Sequence, residues 1–401
     1  MEKRSKLINY NFEILKDRVI SYLSDLQFGP CQYRINTHAD GNIYSSCFAL
    51  FIYDLFKATE SWSEKKRYRW IDYINSFQDK ETGYFIPEGF TGELDEKPVH
   101  QLTCFAINAL KILGEYPKHR FNFLSKWRNP NDISRYLEKK GCLKGKPGTG
   151  NLAMFIGIFL TFDYEINNNS QSLELLNHWF FLHEKTQNPH TGFWGSSFRQ
   201  KLFKGFQNAL HQFIVYHYWM RDIPYHKKIV DTILCLQDSD GFFAPVPGGG
   251  GCWDFDASEM LINCGLNRNY KTSFIKLALA RLFNSIIINQ KEDGGFCESK
   301  KIFPNFSNLF DSEILKFIFL NRDLKVMYYK FRTITPIYLF NKRKLFFHWN
   351  TKGCFWDQSD LWNTWFRCLT IAKIENALTV NNDQIKHKWK FHNSIGFGWI
   401  S

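Results

Sequence analysis

The stretch GGGGCWDFDASEML, Gly248 to Leu261, sets two carboxylates two positions apart behind a run of four glycines. Two acidic groups held together and buried cannot both ionise cheaply, so one of them is driven toward the protonated form. A carboxylic acid that stays protonated near neutral pH is a general acid, and Asp256 with Asp254 is the candidate pair. The glycines permit close backbone approach and positive φ angles. They also deliver the N-terminus of a helix, whose free N–H groups favour an anion, and Asp254 can also serve as the cap of that helix. Glu259, three residues beyond Asp256, can share its face or bond a neighbouring helix.

Further candidates lie on other apolar stretches. His211 follows Asn208 by three, so both can face one way from a helix and His211 can assist the acid pair. Asp360, Asn363 and Arg367 recur at helical spacing in DLWNTWFRCLTIAKIENA and could hold an anionic head group or form a buried ion pair. His100 and Asn151 stand at the starts of apolar segments and are binding candidates by position. Trp253 and Trp362, with Phe255, Trp194 and Trp365, are candidates for an aromatic lining, although Trp194 in GFWG also suits turn packing.

The elements that must position these groups are set by a repeat. QDKETGYF, QNPHTGFWG, QDSDGFF and QKEDGGF begin at Gln78, Gln187, Gln237 and Gln290, with a worn copy expected between Arg128 and Lys146 and another at LQFGPCQYR. Each signal stands between an amphipathic segment and a more apolar one. The amphipathic set is 9–26, 62–77, 173–186, 225–236 and 273–289. The apolar set is 43–56, 99–113, 151–162, 206–220, 252–264 and 360–377. Such pairs cannot bury their faces alone and must stack. The expectation is one all-α domain over 1–401, an (α/α)6 toroid of six inner and six outer helices, its inner helices opening on a central cavity. Residues 297–356 interrupt the pattern before the last inner helix and read as an inserted, lid-like segment.

The chain carries a formal charge of +12 and is 18% aromatic. A basic balance suits an anionic partner, but the charges are scattered and no nucleic-acid motif appears. Lysines and arginines interleaved with aromatics over 321–347 suit peripheral contact with an anionic membrane, or a lid packed on the ring. Ten cysteines without a CxxC pair, several in apolar runs, point to free buried thiols and a cytoplasmic setting. The N-terminal stretch lacks an apolar signal-peptide core, and no apolar run is long enough to span a bilayer.

The glutamine–glycine–aromatic signals resemble the repeats of the prenyltransferase and squalene-cyclase superfamily, whose fold is the α/α toroid. WDFDAS resembles the Asp-x-Asp-Asp signature of class II terpene cyclases, with Asp254 and Asp256 on its first two aspartates and Ala257 in place of the last. That resemblance implies Asp256 as the Brønsted acid toward an alkene or epoxide, in a cavity whose aromatic faces stabilise carbocations. It implies a hydrophobic polyprenyl substrate and no cofactor, with magnesium only if the substrate carries a diphosphate. The protein prenyltransferase β-subunits, similar in fold, hold zinc through Asp, Cys and His; here Asn363 stands where their histidine would be, and no metal site is expected. The residues leave two other readings: a carbohydrate-active α/α barrel using paired carboxylates, and a non-catalytic ligand- or protein-binding toroid.

Overall fold

The computed structural model describes residues 7–195, 202–321, 323–346, 350–379 and 388–396, with only the backbone at 345–346 and 350–353. Fourteen α-helices and two short antiparallel hairpins make up the regular structure of these residues. The chain divides into two compact units, one of Met1–Gly41 with Val230–Trp389 and one of Asn42–Ile229 with Lys390–Ser401.

The second unit alternates largely buried helices with half-buried ones. Its inner members are α2 (Ile43–Leu55), α4 (Lys97–Ile112), α6 (Gly150–Asn167) and α8 (Phe203–Tyr218). Its outer members are α3 (Glu64–Asn75), α5 (Pro130–Lys140) and α7 (Ser170–Thr186). Every residue of α2 is buried, whereas α3 buries only Trp70 and Ile74. That contrast is the physical content of the apolar and amphipathic classes read from the sequence.

Helix α5 corrects one expectation. The stretch from Arg128 to Lys146 reads as turn chemistry, yet its Asn, Pro and Gly are helix start and stop signals. Asn129 caps the helix by accepting from the N–H of Asn131 and Asp132, Pro130 occupies the first turn, and Gly141 ends it at φ 79°. Only Ile133 and Leu137 are buried, so two apolar residues in a polar stretch carried too little periodicity to show the helix.

The first unit contains α1 (Phe12–Leu26), α10 (Gly251–Cys264), α11 (Thr272–Ile288) and α14 (Leu361–Leu378), with most of α9 (His226–Leu236), which crosses the boundary. Helices α10 and α14 are its inner pair and pack directly on one another. The segment expected as an insertion folds as α12 (Ser312–Phe319), α13 (Leu324–Leu339) and a hairpin of β3 (Lys344–Phe346) with β4 (Asn350–Cys354). Its inward face, including Ile314, Phe317, Ile334 and Tyr338, packs with Ala244 and Val246, and Trp253 and Trp356 lie against that cluster. Phe347, part of the basic–aromatic stretch, lies outside the described residues. No described helix is long and apolar enough to cross a membrane. None of the ten cysteines is in a disulfide, and eight are buried.

The repeat has a mechanical meaning. In each of the four signals the glutamine amide donates to the carbonyl of the glycine that follows: Gln78 to Gly83, Gln187 to Gly192, Gln237 to Gly241 and Gln290 to Gly294. Three of them donate a second time, to His119, Pro224 and Ala278, tying the turn to chain about forty residues on. In three of the turns the second residue after the glycine, a phenylalanine, gives its N–H to a side chain of the next inner helix: Phe85 to Thr103, Phe243 to Asp254 and Phe296 to Thr364. Gly294 shows why glycine is required, since it sits at φ +89° and an added Cβ would lie 2.2 Å from the Arg18 carbonyl oxygen.

Gly294→Ala is therefore expected to destabilise the protein by roughly 3 kcal/mol, combining left-handed strain with overpacking. Gly114→Ala, at φ +83° with nothing within 4 Å, should cost only about 1 kcal/mol. Urea denaturation of both variants measures the difference; equal losses would mean that close approach contributes nothing.

Candidate active site

Helix α10 starts at the end of the glycine run, and its first turns carry both aspartates. Asp254 and Asp256 are 0% and 3% exposed. The two carboxyls have opposite surroundings.

Asp254 is fully engaged. Its Oδ1 accepts from the Phe243 N–H at 2.7 Å, and its Oδ2 accepts from the Gly250 N–H at 3.0 Å and from Arg367 Nη1 at 2.6 Å. Burial outweighs Arg367 and the two backbone donors, which pull the other way, and leaves this carboxyl above its ordinary range. A guanidinium stays protonated at any working pH, so the group facing Arg367 is a carboxylate. Arg367 comes from α14, is wholly buried, and also donates to the carbonyls of Glu298 at 2.9 Å and Gly248 at 3.4 Å. Its guanidinium lies 5.1 Å from the centre of the Phe242 ring.

Asp256 makes no hydrogen bond among the described residues, and its Oδ2 is shut away from solvent. Burial, then the charges of Asp254 and Glu259, push its pKa well above the ordinary carboxyl range. Water would solvate a carboxylate here; the described residues offer neither a hydrogen-bond donor nor a paired cation, so the neutral acid is the favoured form.

The other predicted residues fall around this pair or elsewhere. Asp360 caps α14, accepting from the Asn363 N–H at 2.7 Å and side-chain amide at 2.6 Å, and burial pushes it up to about 6. Asn363 in turn accepts from the Gly251 N–H at 3.2 Å, so it links the starts of α10 and α14. Glu259 bonds a neighbouring helix, pairing with Lys373 of α14 at 3.3 Å. Trp362 packs edge-on against Phe366 at 4.5 Å, and Phe366 lies 5.2 Å from Phe255. Trp253 is half-buried beneath the inserted segment.

Asn208, His211, His100, Asn151 and Trp194 belong to the other unit. Asn208 of α8 accepts from the Gly150 N–H at 2.8 Å, the same inter-helix cap that Asn363 makes. His211 donates from Nδ1 to the Gln207 carbonyl at 2.7 Å, which leaves the lone pair on Nε2, and burial with nearby Lys97 pushes it down to about 4. His100 is buried, with Nε2 3.0 Å from the Tyr84 hydroxyl and 3.1 Å from Asp95. Asn151 is half-buried in the first turn of α6. Trp194 is buried in turn packing, with its indole N–H on the His183 carbonyl at 3.1 Å. A cleft of about 760 Å³ in this unit, lined by Arg120, Trp127, Arg128 and Asn169 among others, includes none of the predicted site residues.

Of three further charged residues near the pair, Lys373 and Glu298 carried no functional assignment in the sequence, and Lys344 was assigned only to the basic–aromatic stretch over 321–347. Lys373 is buried on α14 six residues beyond Arg367, a signal that an acidic partner was required. Glu298 and Lys344 form a pair at the edge of the site, with Lys344 also 3.9 Å from Asp360. Lys344 stands on β3, so the inserted segment supplies a charge to the inner helices; spacing in the chain could not show that. Among the described residues no three His, Cys, Asp or Glu side chains converge as a metal site requires. Both polar ends of the Asn363 amide are spent on Gly251 and Asp360, so the residues here do not fit the zinc site of a prenyltransferase β-subunit.

Residues 14–150 and 165–302 match the family of the prenyltransferase alpha-alpha toroid domain. These segments cover well over half of the chain, and the protein belongs to that family, with its all-α toroid fold. No curated protein and no solved structure matches it.

Two outcomes test the electrostatics. Arg367→Met should cost about 3–5 kcal/mol by stranding a buried carboxylate, and adding Asp254→Asn should recover much of it; a loss unrelieved in the double variant would contradict the pairing. Asp256 has a raised folded pKa, so the native state binds more protons than the unfolded one, and its penalty appears as pH rises above about 4. Asp256→Asn should therefore melt above the native protein at pH 7, with the gap closing toward pH 4, as followed by calorimetry.

Proposed function

We propose that this protein is a terpene-cyclase-like enzyme in which Asp256 protonates a polyprenyl substrate. The observation that carries the reading is the buried, partnerless carboxyl of Asp256 beside a carboxylate fixed by Arg367. That arrangement keeps one acid loaded with its proton and one base permanently charged.

The step is simple in its balance. The O–H bond of Asp256 breaks as the π electrons of a substrate alkene, or an epoxide oxygen, take the proton. The cation so formed is attacked by the next double bond of the same chain, the final cation loses a proton to water to leave a neutral cyclic product, and a proton from solvent reloads Asp256 after the product departs. Asp254 stays a carboxylate throughout and opposes ionisation of Asp256 in the resting enzyme; the substrate cation formed on proton transfer offsets the new negative charge. Trp253, Phe255, Trp362 and Phe366 are aromatic groups on the same two helices whose ring faces can stabilise such a cation.

A glycan hydrolase would use the second carboxylate as a nucleophile or as the base for a water molecule. Asp254 has both oxygens committed to Arg367 and two backbone N–H groups, which favours the cyclase reading over that one.

Incubating the native protein with polyprenyl alcohols, diphosphates and epoxides of several lengths should give cyclic products detectable by gas chromatography and mass spectrometry. Asp256→Asn should lower turnover by about 100-fold or more while remaining folded. Absence of turnover in the native protein, or an unaffected Asp256→Asn variant, would refute the proposal.

A further inference from the structure

The inserted segment has two faces of opposite character. Its inner face is the apolar cluster beneath α12 and α13. Its outer face is also apolar but edged with charge: of the 21 large hydrophobic side chains that the described chain exposes, 11 lie between Phe303 and Phe340. A monomer scatters such residues, and their concentration in under a tenth of the chain marks an interaction surface.

The pattern is helical. On α13, Leu324, Tyr328, Phe331 and Leu339 follow one another at spacings of four, three and eight, which is one stripe, and are 45–76% exposed. On α12, Leu315 and Phe319 are exposed four apart, and Leu320 continues them toward the start of α13.

The charges around this face identify what covers it. Residues 303–344 hold eight Lys and Arg against three Asp and Glu; of the eight, Lys330 is buried, Lys344 faces Glu298 and Asp360, Arg322 lies outside the described residues, and Lys316, Lys325, Arg332, Lys342 and Arg343 are exposed. Each acid has a local role, since Asp311 and Asp323 cap α12 and α13, and Glu313 pairs with Lys316 at 2.8 Å. Lys325, Arg332, Lys342 and Arg343 are exposed and form no ion pair among the described residues. Arg343 lies 4.6 Å from the exposed ring of Phe355, so cations and aromatics alternate on the surface. Aromatic and aliphatic side chains ringed by unpaired cations match the boundary of an anionic bilayer, where rings enter the acyl edge and cations meet phosphates.

We infer that helices α12 and α13 form an amphipathic hairpin that docks this protein in the plane of an anionic membrane. No described helix can cross the bilayer, so attachment is to one leaflet. The inference is independent of the acid chemistry assigned to Asp256, and binding is measured without any substrate.

The experiment is co-sedimentation of the full chain with vesicles of phosphatidylcholine alone or with about one third phosphatidylserine. Binding is expected to the anionic vesicles, weakening as salt rises. Leu324→Asp with Phe331→Asp, and separately Lys325→Glu with Arg332→Glu, should each reduce it at least about tenfold. These positions are exposed, and circular dichroism checks that the variants fold. Failure to bind anionic vesicles overturns the inference, as does binding that neither double variant changes. Concentration-dependent self-association in sedimentation equilibrium, lost in the Leu324→Asp, Phe331→Asp variant while vesicles stay unbound, would assign the surface to a second copy instead.

Discussion

Much of the first unit depends on one buried ion pair, Asp254 with Arg367. The guanidinium reaches from α14 to the first turn of α10, the carbonyl of Gly248 and the carbonyl of Glu298. It thereby fixes the glycine run, the inner helix pair and the chain leading into the inserted segment with one planar group. A buried pair adds little net stability, because desolvation offsets most of the Coulomb gain. Its value is geometric: neither helix can rotate without stranding a charge.

The repeat explains how a charge came to be there. Thr103, Asp254 and Thr364 occupy the same role, each accepting the N–H of the aromatic residue in the preceding turn. A threonine hydroxyl suffices for that role, and in one repeat an aspartate fills it instead. The aspartate brings a second oxygen and a negative charge, which call for Arg367. Two residues later the chain places Asp256, close enough to feel that charge and too deeply buried to be solvated. The proposed acid thus stands two residues from a structural position that carries more charge than its equivalents.

The same two helices hold a second pair, Glu259 with Lys373, and receive a third cation, Lys344, from the inserted hairpin. Opposite charges are therefore distributed along the α10–α14 contact, with Asp256 the carboxyl that none of them neutralises. The inserted segment serves that contact from its inner side while its outer side remains apolar and basic.

The inner helices, and the outer ones apart from α5, were legible from the chain because their apolar periodicity and the glutamine–glycine–aromatic turns are local, and bounds such as 43–56 against Ile43–Leu55 differ by a residue. The pairing of α10 with α14 was half visible, since Asp360, Asn363 and Arg367 announced a polar stripe on an inner helix. What they bond was not: Asn363 and Asn208 turned out to cap neighbouring inner helices through Gly251 and Gly150, contacts 112 and 58 residues apart in the chain. The different protonation of Asp254 and Asp256 likewise rests on which carboxyl meets Arg367, a long-range fact. Sequence determines what a residue can do through its type and its near neighbours; burial and distant partners, which set its pKa and its donors, exist only once the chain has folded.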